Sequence, residues 1–107
     1  MLYTVVITIG RNIKTKPMSD RKWAHFKGCV ELCLNYVEAT IVQRPSHTTN
    51  GGQVGVWEGQ VEGAACFVAF VPRPLLPKLR ALLLTVKDEH EQEAVGFVAV
   101  PGTDYLL

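Results

Sequence analysis

Basic and hydroxyl side chains gather between positions 11 and 27, and this stretch is a candidate anion-binding site. Six of the chain's 11 Lys and Arg residues fall there, against one carboxylate, Asp20. A helix that begins near Ser19 would place its free N–H groups and the positive end of its dipole beside these cations, which favours a bound anion. The residues of this candidate site are Arg11, Asn12, Lys14, Lys16, Ser19 and Arg21.

A run of acidic residues works against the anion site. Asp88, Glu89, Glu91 and Glu93 follow the second helical segment and are expected at the same end of the molecule. Exposed clusters of opposite sign commonly neutralise each other. Binding of a small anion, a nucleotide or a nucleic acid is therefore kept as the alternative function.

A second group of residues has the chemistry of a metal site but not the spacing. His25, Cys29 and Cys33 repeat every four residues and would share one side of a helix. Eight residues at about 1.5 Å each separate the outer two by about 12 Å, too far for one zinc ion. Two of the three could share an ion with a distant residue such as Cys66 or His47. Without a Cys-x-x-Cys pair, the sequence predicts no metal and no cofactor.

Catalysis is disfavoured because no nucleophile, base and oxyanion donor fall into a recognisable constellation. The net charge of +1 gives no bulk attraction to nucleic acid or to a membrane. Three cysteines, without a secretory segment, are typical of free thiols in a reducing compartment. The sequence predicts a cytoplasmic binding module rather than an enzyme, with no membrane contact.

The hydrophobic periodicity predicts six elements in the order βαββαβ. The predicted strands are residues 2–9, 39–43, 54–71 and 94–100, and the predicted helices run from Ser19 to about Tyr36 and from the prolines at 72–77 to about Glu91. This order is typical of a ferredoxin-like α+β domain spanning residues 1–107. We expect a four-stranded antiparallel sheet in the order 4-1-3-2, with both helices on one face. Residues 54–71 are interpreted as one long bent strand, and the alternative is an extra hairpin turning at 60–63.

The uncovered face of that sheet is predicted to be apolar, because the third and fourth strands carry apolar residues at consecutive positions. A solvated sheet face is normally polar, and a contiguous apolar surface usually marks a contact. We therefore expect a non-catalytic dimerisation module. Its predicted interface residues are Thr4, Val6, Thr8, Trp57, Phe67 and Phe97.

Three short motifs resemble segments of small uncharacterised proteins carried by actinobacteria, their phages and their mobile elements. These are Tyr3-x-Val5-x-Ile7-x-Ile9-Gly10-Arg11-Asn12, Met18-Ser19-Asp20-Arg21-x-Trp23 and Gly55-Val56-Trp57-Glu58-Gly59. The resemblance implies a genomic setting rather than a mechanism. An accessory or host-interaction factor, with a host protein as a further partner, would suit that setting.

Overall fold

The computed structural model describes residues 1–45, 53–57 and 60–104, and for 53–57 and 60–62 it describes the backbone alone. The chain forms an α+β structure with two α-helices and an antiparallel sheet, compatible with a ferredoxin-like fold. In chain order the elements are β1 (Leu2–Gly10), β2 (Asn12–Ile13), β3 (Lys16–Pro17), α1 (Asp20–Tyr36), β4 (Thr40–Gln43), β5 (Gln53–Trp57), β6 (Gln60–Pro72), a 3-10 turn (Arg73–Leu75), α2 (Leu76–Glu89) and β7 (Gly96–Pro101).

The main sheet has the order β4-β6-β1-β7, and β5 pairs with β6 as a fifth strand. β1 is central: it pairs along its whole length with β6, from Leu2 opposite Pro72 to Gly10 opposite Ala64. On its other side it pairs with β7. In these strands every second residue faces the helices, which sets the two faces discussed below.

The predicted long bent strand at 54–71 is wrong, because β5 and β6 form a hairpin in which Trp57 pairs with Gln60. Glycines at 59 and 63 suit a bulge or a turn equally well, so the sequence did not separate the two. Residues 12–17 add a small β2–β3 ribbon that turns at Lys14, whose φ is 57°.

The structure has three strands that the prediction did not count separately: β2, β3 and β5. The observed strand order, β4-β6-β1-β7, therefore differs in its numbering from the predicted order 4-1-3-2. The central strands β1 and β6 nevertheless come from the first and third predicted segments.

Both predicted helices are confirmed, and their limits follow from local chemistry. The Ser19 hydroxyl accepts a hydrogen bond from the Lys22 N–H (3.2 Å) and so caps α1, with Asp20 in the first turn. A proline in the first turn of α2 costs no helical hydrogen bond. No described helix is both long enough and apolar enough to cross a membrane.

The core lies between the two helices and one face of the sheet. The side chains of Val5, Ile7 and Ile9 on β1 are completely buried there. They pack in one cluster with buried residues of α1, α2 and β6, including Trp23, Phe26, Val30, Leu34, Phe67, Leu79 and Leu83. Burial of each such side chain contributes about 1.5–3 kcal/mol to the free energy of folding. The packing of this layer therefore holds α1 and α2 in fixed positions relative to each other.

Candidate functional site

A cavity of about 420 Å³ opens where the start of α1 meets the end of α2. Two apolar side chains, Ile13 and Met18, form part of its wall. The remaining lining residues are titratable: Arg21, Lys22, His25, Glu89, His90 and Glu91. Two cations and two carboxylates around one cavity suit a ligand that carries both signs of charge better than a simple anion.

His90 is held in a defined orientation at the C-terminal end of α2. Its Nδ1 lies 2.7 Å from the Val86 carbonyl oxygen. A carbonyl can only accept, so Nδ1 carries the proton and Nε2 of the neutral ring presents a lone pair. The ring also stacks on Phe26, with centroids 4.6 Å apart and planes at 15°. Packing and hydrogen bonding therefore both aim Nε2 at α1.

His25 and Cys29 meet that lone pair from adjacent turns of α1. His25 Nδ1 lies 3.0 Å from His90 Nε2, and Cys29 Sγ lies 3.7 Å from His25 Nδ1. One donor atom from each of the three residues lies within 4.8 Å of the other two. This is the geometry of a group that can share one ion.

The thiols near this group stay protonated in the absence of an ion. Burial, with a smaller contribution from the nearby Glu89 carboxylate, raises the pKa of Cys29. Deeper burial raises the pKa of Cys33 to about 11. Because the thiolate is the reactive form, Cys33 is an inert core residue.

The predicted anion-binding residues are not gathered into one site. The Arg11 guanidinium is used within the protein: Nη2 lies 2.6 Å from Asp20 Oδ1, and Nε donates to the Met18 carbonyl oxygen at 2.9 Å. The Ser19 hydroxyl is the α1 cap. Of the six predicted residues, only Arg21 lines the cavity.

The other three predicted anion-binding residues belong to the β2–β3 ribbon. Asn12 and Lys16 lie in its strands, and Lys14 lies at its turn. Both lysines are exposed. The main-chain oxygen of Asn12 accepts a hydrogen bond from Gln92 Nε2 (3.1 Å), which ties the ribbon to the segment after α2.

The uncovered face of the sheet has an apolar centre. Strand pairing places Val6 directly between Val68 and Val98. Val98 is 57% exposed, Val6 is partly buried and Val68 is only 7% exposed. The neighbouring rows are Thr40, Phe70, Thr4 and Val100 on one side and Cys66, Thr8 and Gly96 on the other. None of the residues in these three rows carries a charge at neutral pH.

The predicted interface residues divide between the two faces. Thr4, Val6 and Thr8 lie on the uncovered face, as their alternation with Val5 and Ile7 requires. Thr4 is buried there, with its hydroxyl donating to the Gly102 carbonyl oxygen (2.7 Å).

The assignment of Phe67 and Phe97 to that face is wrong. Both pair with Ile7, so they face the core; Phe67 is 1% exposed and Phe97 packs against the core cluster. The backbone of Trp57 belongs to β5, and its side chain lies outside the described residues.

Sequence reasoning missed His90 as the partner of His25 and Cys29. The predicted fold places the start of α1 and the end of α2 at the same end of the molecule, and this was the one sequence-based indication that His90 could approach His25. The contact joins residues 65 positions apart, and helix spacing alone cannot reveal it.

Searches of known families and of curated proteins find no match to this chain. Solved structures with a similar fold include an unknown protein from Galdieria sulphuraria, with a TM-score of 0.55 and 13% identity. That alignment covers 95% of this chain but only 49% of the other, so this chain spans about half of that protein. A phage SAM lyase in complex with S-methyl-5'-thioadenosine gives a TM-score of 0.52 at 16% identity, covering 97% of this chain and 92% of the lyase. Identities this low establish likeness of fold alone.

Proposed function

We propose that this chain is a non-catalytic interaction module that forms a homodimer through the uncovered face of its sheet. The observation that carries the proposal is the row Val68–Val6–Val98, which crosses three strands on that face. An antiparallel sheet face in water normally carries polar residues. Here the exposed valine of an edge strand extends an apolar centre.

A second copy of the chain is the occupant that this surface fits best. The three cross-strand rows contain threonines but no charged residue, so two such faces can pack without burying an unpaired charge. A two-fold axis through the face would bring each Val98 against the other copy's valines, because such interfaces use the same patch twice. Removing Val98 and the accessible part of Val6 from water supplies the driving force, since Val68 is already buried in the single chain.

The cellular setting is part of the proposal. Cys29, Cys33 and Cys66 are free thiols, which suits a reducing cytoplasm. The motif resemblance to proteins of actinobacteria and their phages, and the fold likeness to a phage enzyme, support an accessory or host-interaction role in a phage or mobile element.

The molar mass in solution tests the homodimer. We expect light scattering at micromolar concentration to give twice the chain mass of 11.8 kDa. The apolar surface should also make the dimer resistant to moderate salt, because its rows hold no ion pairs. A mass of one chain across the micromolar range would refute the proposal.

Binding of a small ligand in the cavity is a second candidate function, favoured by the pairing of cations and carboxylates around one opening. Arg21 and Lys22 suit an anionic group, while Glu89 and Glu91 suit a cationic one. The phage SAM lyase of similar fold was solved with S-methyl-5'-thioadenosine. A 5'-sulfur-substituted adenosine, either a sulfonium with an amino-acid tail or the thioether without one, is therefore the first ligand class to test.

Calorimetric titration with S-adenosylmethionine and S-methyl-5'-thioadenosine separates this candidate from the first. If the cavity binds the zwitterionic tail, Arg21→Gln should weaken binding of S-adenosylmethionine by about tenfold or more, because a charge-assisted hydrogen bond is lost. Lys14→Gln removes an exposed cation outside the cavity and should have no effect. Absence of binding heat for both compounds, or equal affinities in the two variants, would dismiss it.

A further inference from the structure

We infer that His25, Cys29 and His90 form a binding site for a zinc-class divalent metal that links α1 to α2. Their donor atoms lie within 4.8 Å of one another. Two imidazole nitrogens and one thiolate sulfur form a set of ligands that binds zinc, cobalt and nickel. The proposal is independent of the sheet face and of self-association.

Two of the three separations between donor atoms match one shared ion. Bonds of about 2.0–2.1 Å to nitrogen and about 2.3 Å to sulfur, at tetrahedral angles, set donor pairs about 3.3 Å apart for N–N and about 3.6 Å for S–N. Here His25 Nδ1 and His90 Nε2 are 3.0 Å apart, and Cys29 Sγ is 3.7 Å from His25 Nδ1. The third pair, Cys29 with His90, lies within 4.8 Å. Closing it to about 3.6 Å requires the Cys29 thiol to move by up to about 1 Å, which completes three corners of a tetrahedron.

The surroundings of His90 are those of a metal-ligating histidine. Such residues usually donate their second ring N–H to a carbonyl or carboxylate, which fixes the tautomer and the ring orientation. His90 does this through Nδ1 to the Val86 carbonyl oxygen, 2.7 Å away. Phe26 stacks on the same ring and limits its rotation. The lone pair on Nε2 is therefore oriented before any ion binds.

The change that binding requires at the other two residues is small. In the absence of metal, His25 donates its Nδ1–H to His90 Nε2, the only arrangement open to a neutral pair in which His90 Nδ1 carries a proton. On binding, that proton moves to His25 Nε2 and the Cys29 thiol releases its proton to solvent. Each residue then offers one lone pair to the ion.

We expect the fourth coordination position to face the cavity, because two of the three ligands, His25 and His90, line it. Three protein ligands and one open position are typical of zinc sites that hold water or an exogenous ligand. The Glu89 and Glu91 carboxylates at the same cavity favour a cation, while Arg21 and Lys22 oppose it. The protein ligands supply most of the affinity, since the four charges offset one another.

Titration of the full chain with Zn²⁺, and with Co²⁺ as a spectroscopic probe, tests the site. We expect one ion per chain, a melting temperature that rises with Zn²⁺, and a sulfur-to-cobalt charge-transfer band. Cys29→Ser should abolish that band and weaken Zn²⁺ binding by about tenfold or more, and His90→Asn should weaken it to a similar degree. Cys66→Ser is the matched control: it removes a half-buried thiol on the sheet and should bind like the parent.

Circular dichroism in the presence of a chelator establishes that each variant is folded before titration. If a variant unfolds, Cys29→Ala and His25→Asn provide the same comparison. Stoichiometric Zn²⁺ binding that survives in both Cys29→Ser and His90→Asn would overturn the site, as would the absence of saturable binding in the parent. If the parent protein shows no saturable binding, the His25–His90 hydrogen bond serves only to join the two helices.

Discussion

Phe67→Ala is expected to lower the free energy of unfolding by about 3–5 kcal/mol, the range for removing a buried aromatic ring from a core. Phe67 is 1% exposed and lies on central strand β6, where it pairs with Ile7 beneath the helices. No solvent can fill the space that the ring leaves without hydrating an apolar wall. Urea denaturation at fixed protein concentration measures the loss, and Phe67→Leu should lose much less.

Phe97→Ala is the matched control for Phe67→Ala. Phe97 pairs with the other side of the same Ile7, but on edge strand β7, and it is only partly buried. Its truncation should cost clearly less than that of Phe67, because less apolar area returns to water. Equal losses for the two variants, or a Phe67→Ala protein that remains fully stable but dissociates, would contradict the assignment of Phe67 to the core.

Val98→Asp is expected to weaken self-association by about 100-fold or more, since an unpaired carboxylate buried in an interface costs at least about 3 kcal/mol. Val98 is 57% exposed in the single chain, so the new carboxylate stays hydrated in the monomer and the fold should tolerate it. Sedimentation velocity over a concentration series measures the shift from dimer to monomer.

Leu32→Asp provides the control with the same change of charge. Leu32 is 67% exposed on α1, on the opposite side of the molecule from the valine row. This variant should retain the dimer. If Leu32→Asp dissociates the dimer and Val98→Asp does not, the contact involves the helices and the proposed face is wrong.

The helices were predictable because their signals are local. Ser19 and Asp20 mark the start of α1, and the apolar residues from Trp23 to Leu34 recur at helical spacing. The cluster of prolines before α2 limits where that helix can begin. Such signals act within one or two turns and do not depend on distant contacts.

The faces of the sheet were only partly predictable. On β1 one side carries two threonines, Thr4 and Thr8, whereas the other side carries only apolar residues. This difference distinguishes the two faces of the strand. On β6 and β7 both sides are apolar, so a period of two carries no information about which side meets the helices. Phe67 and Phe97 were misplaced for that reason, since size alone does not decide the face of a strand.

The candidate site depended on tertiary contacts. The cationic residues after β1 suggested an anion site, but Arg11 is used by Asp20 and the Met18 carbonyl. The spacing of His25 and Cys29 was visible, yet the third donor comes from the end of the other helix. Contacts of this kind follow from how the helices pack and cannot be read from the spacing of one helix.

The alkylation rate of the Cys66 thiol tests most directly whether the uncovered face is the dimer interface. Cys66 lies on that face opposite Thr8, while Cys29 lies on α1 and serves as an internal reference. With iodoacetamide, a chelator and peptide mass spectrometry, we expect Cys66 to react about tenfold or more slowly in the parent dimer than in the Val98→Asp monomer, with Cys29 unchanged. Equal Cys66 rates in a dimeric parent and a monomeric variant would contradict burial of this face.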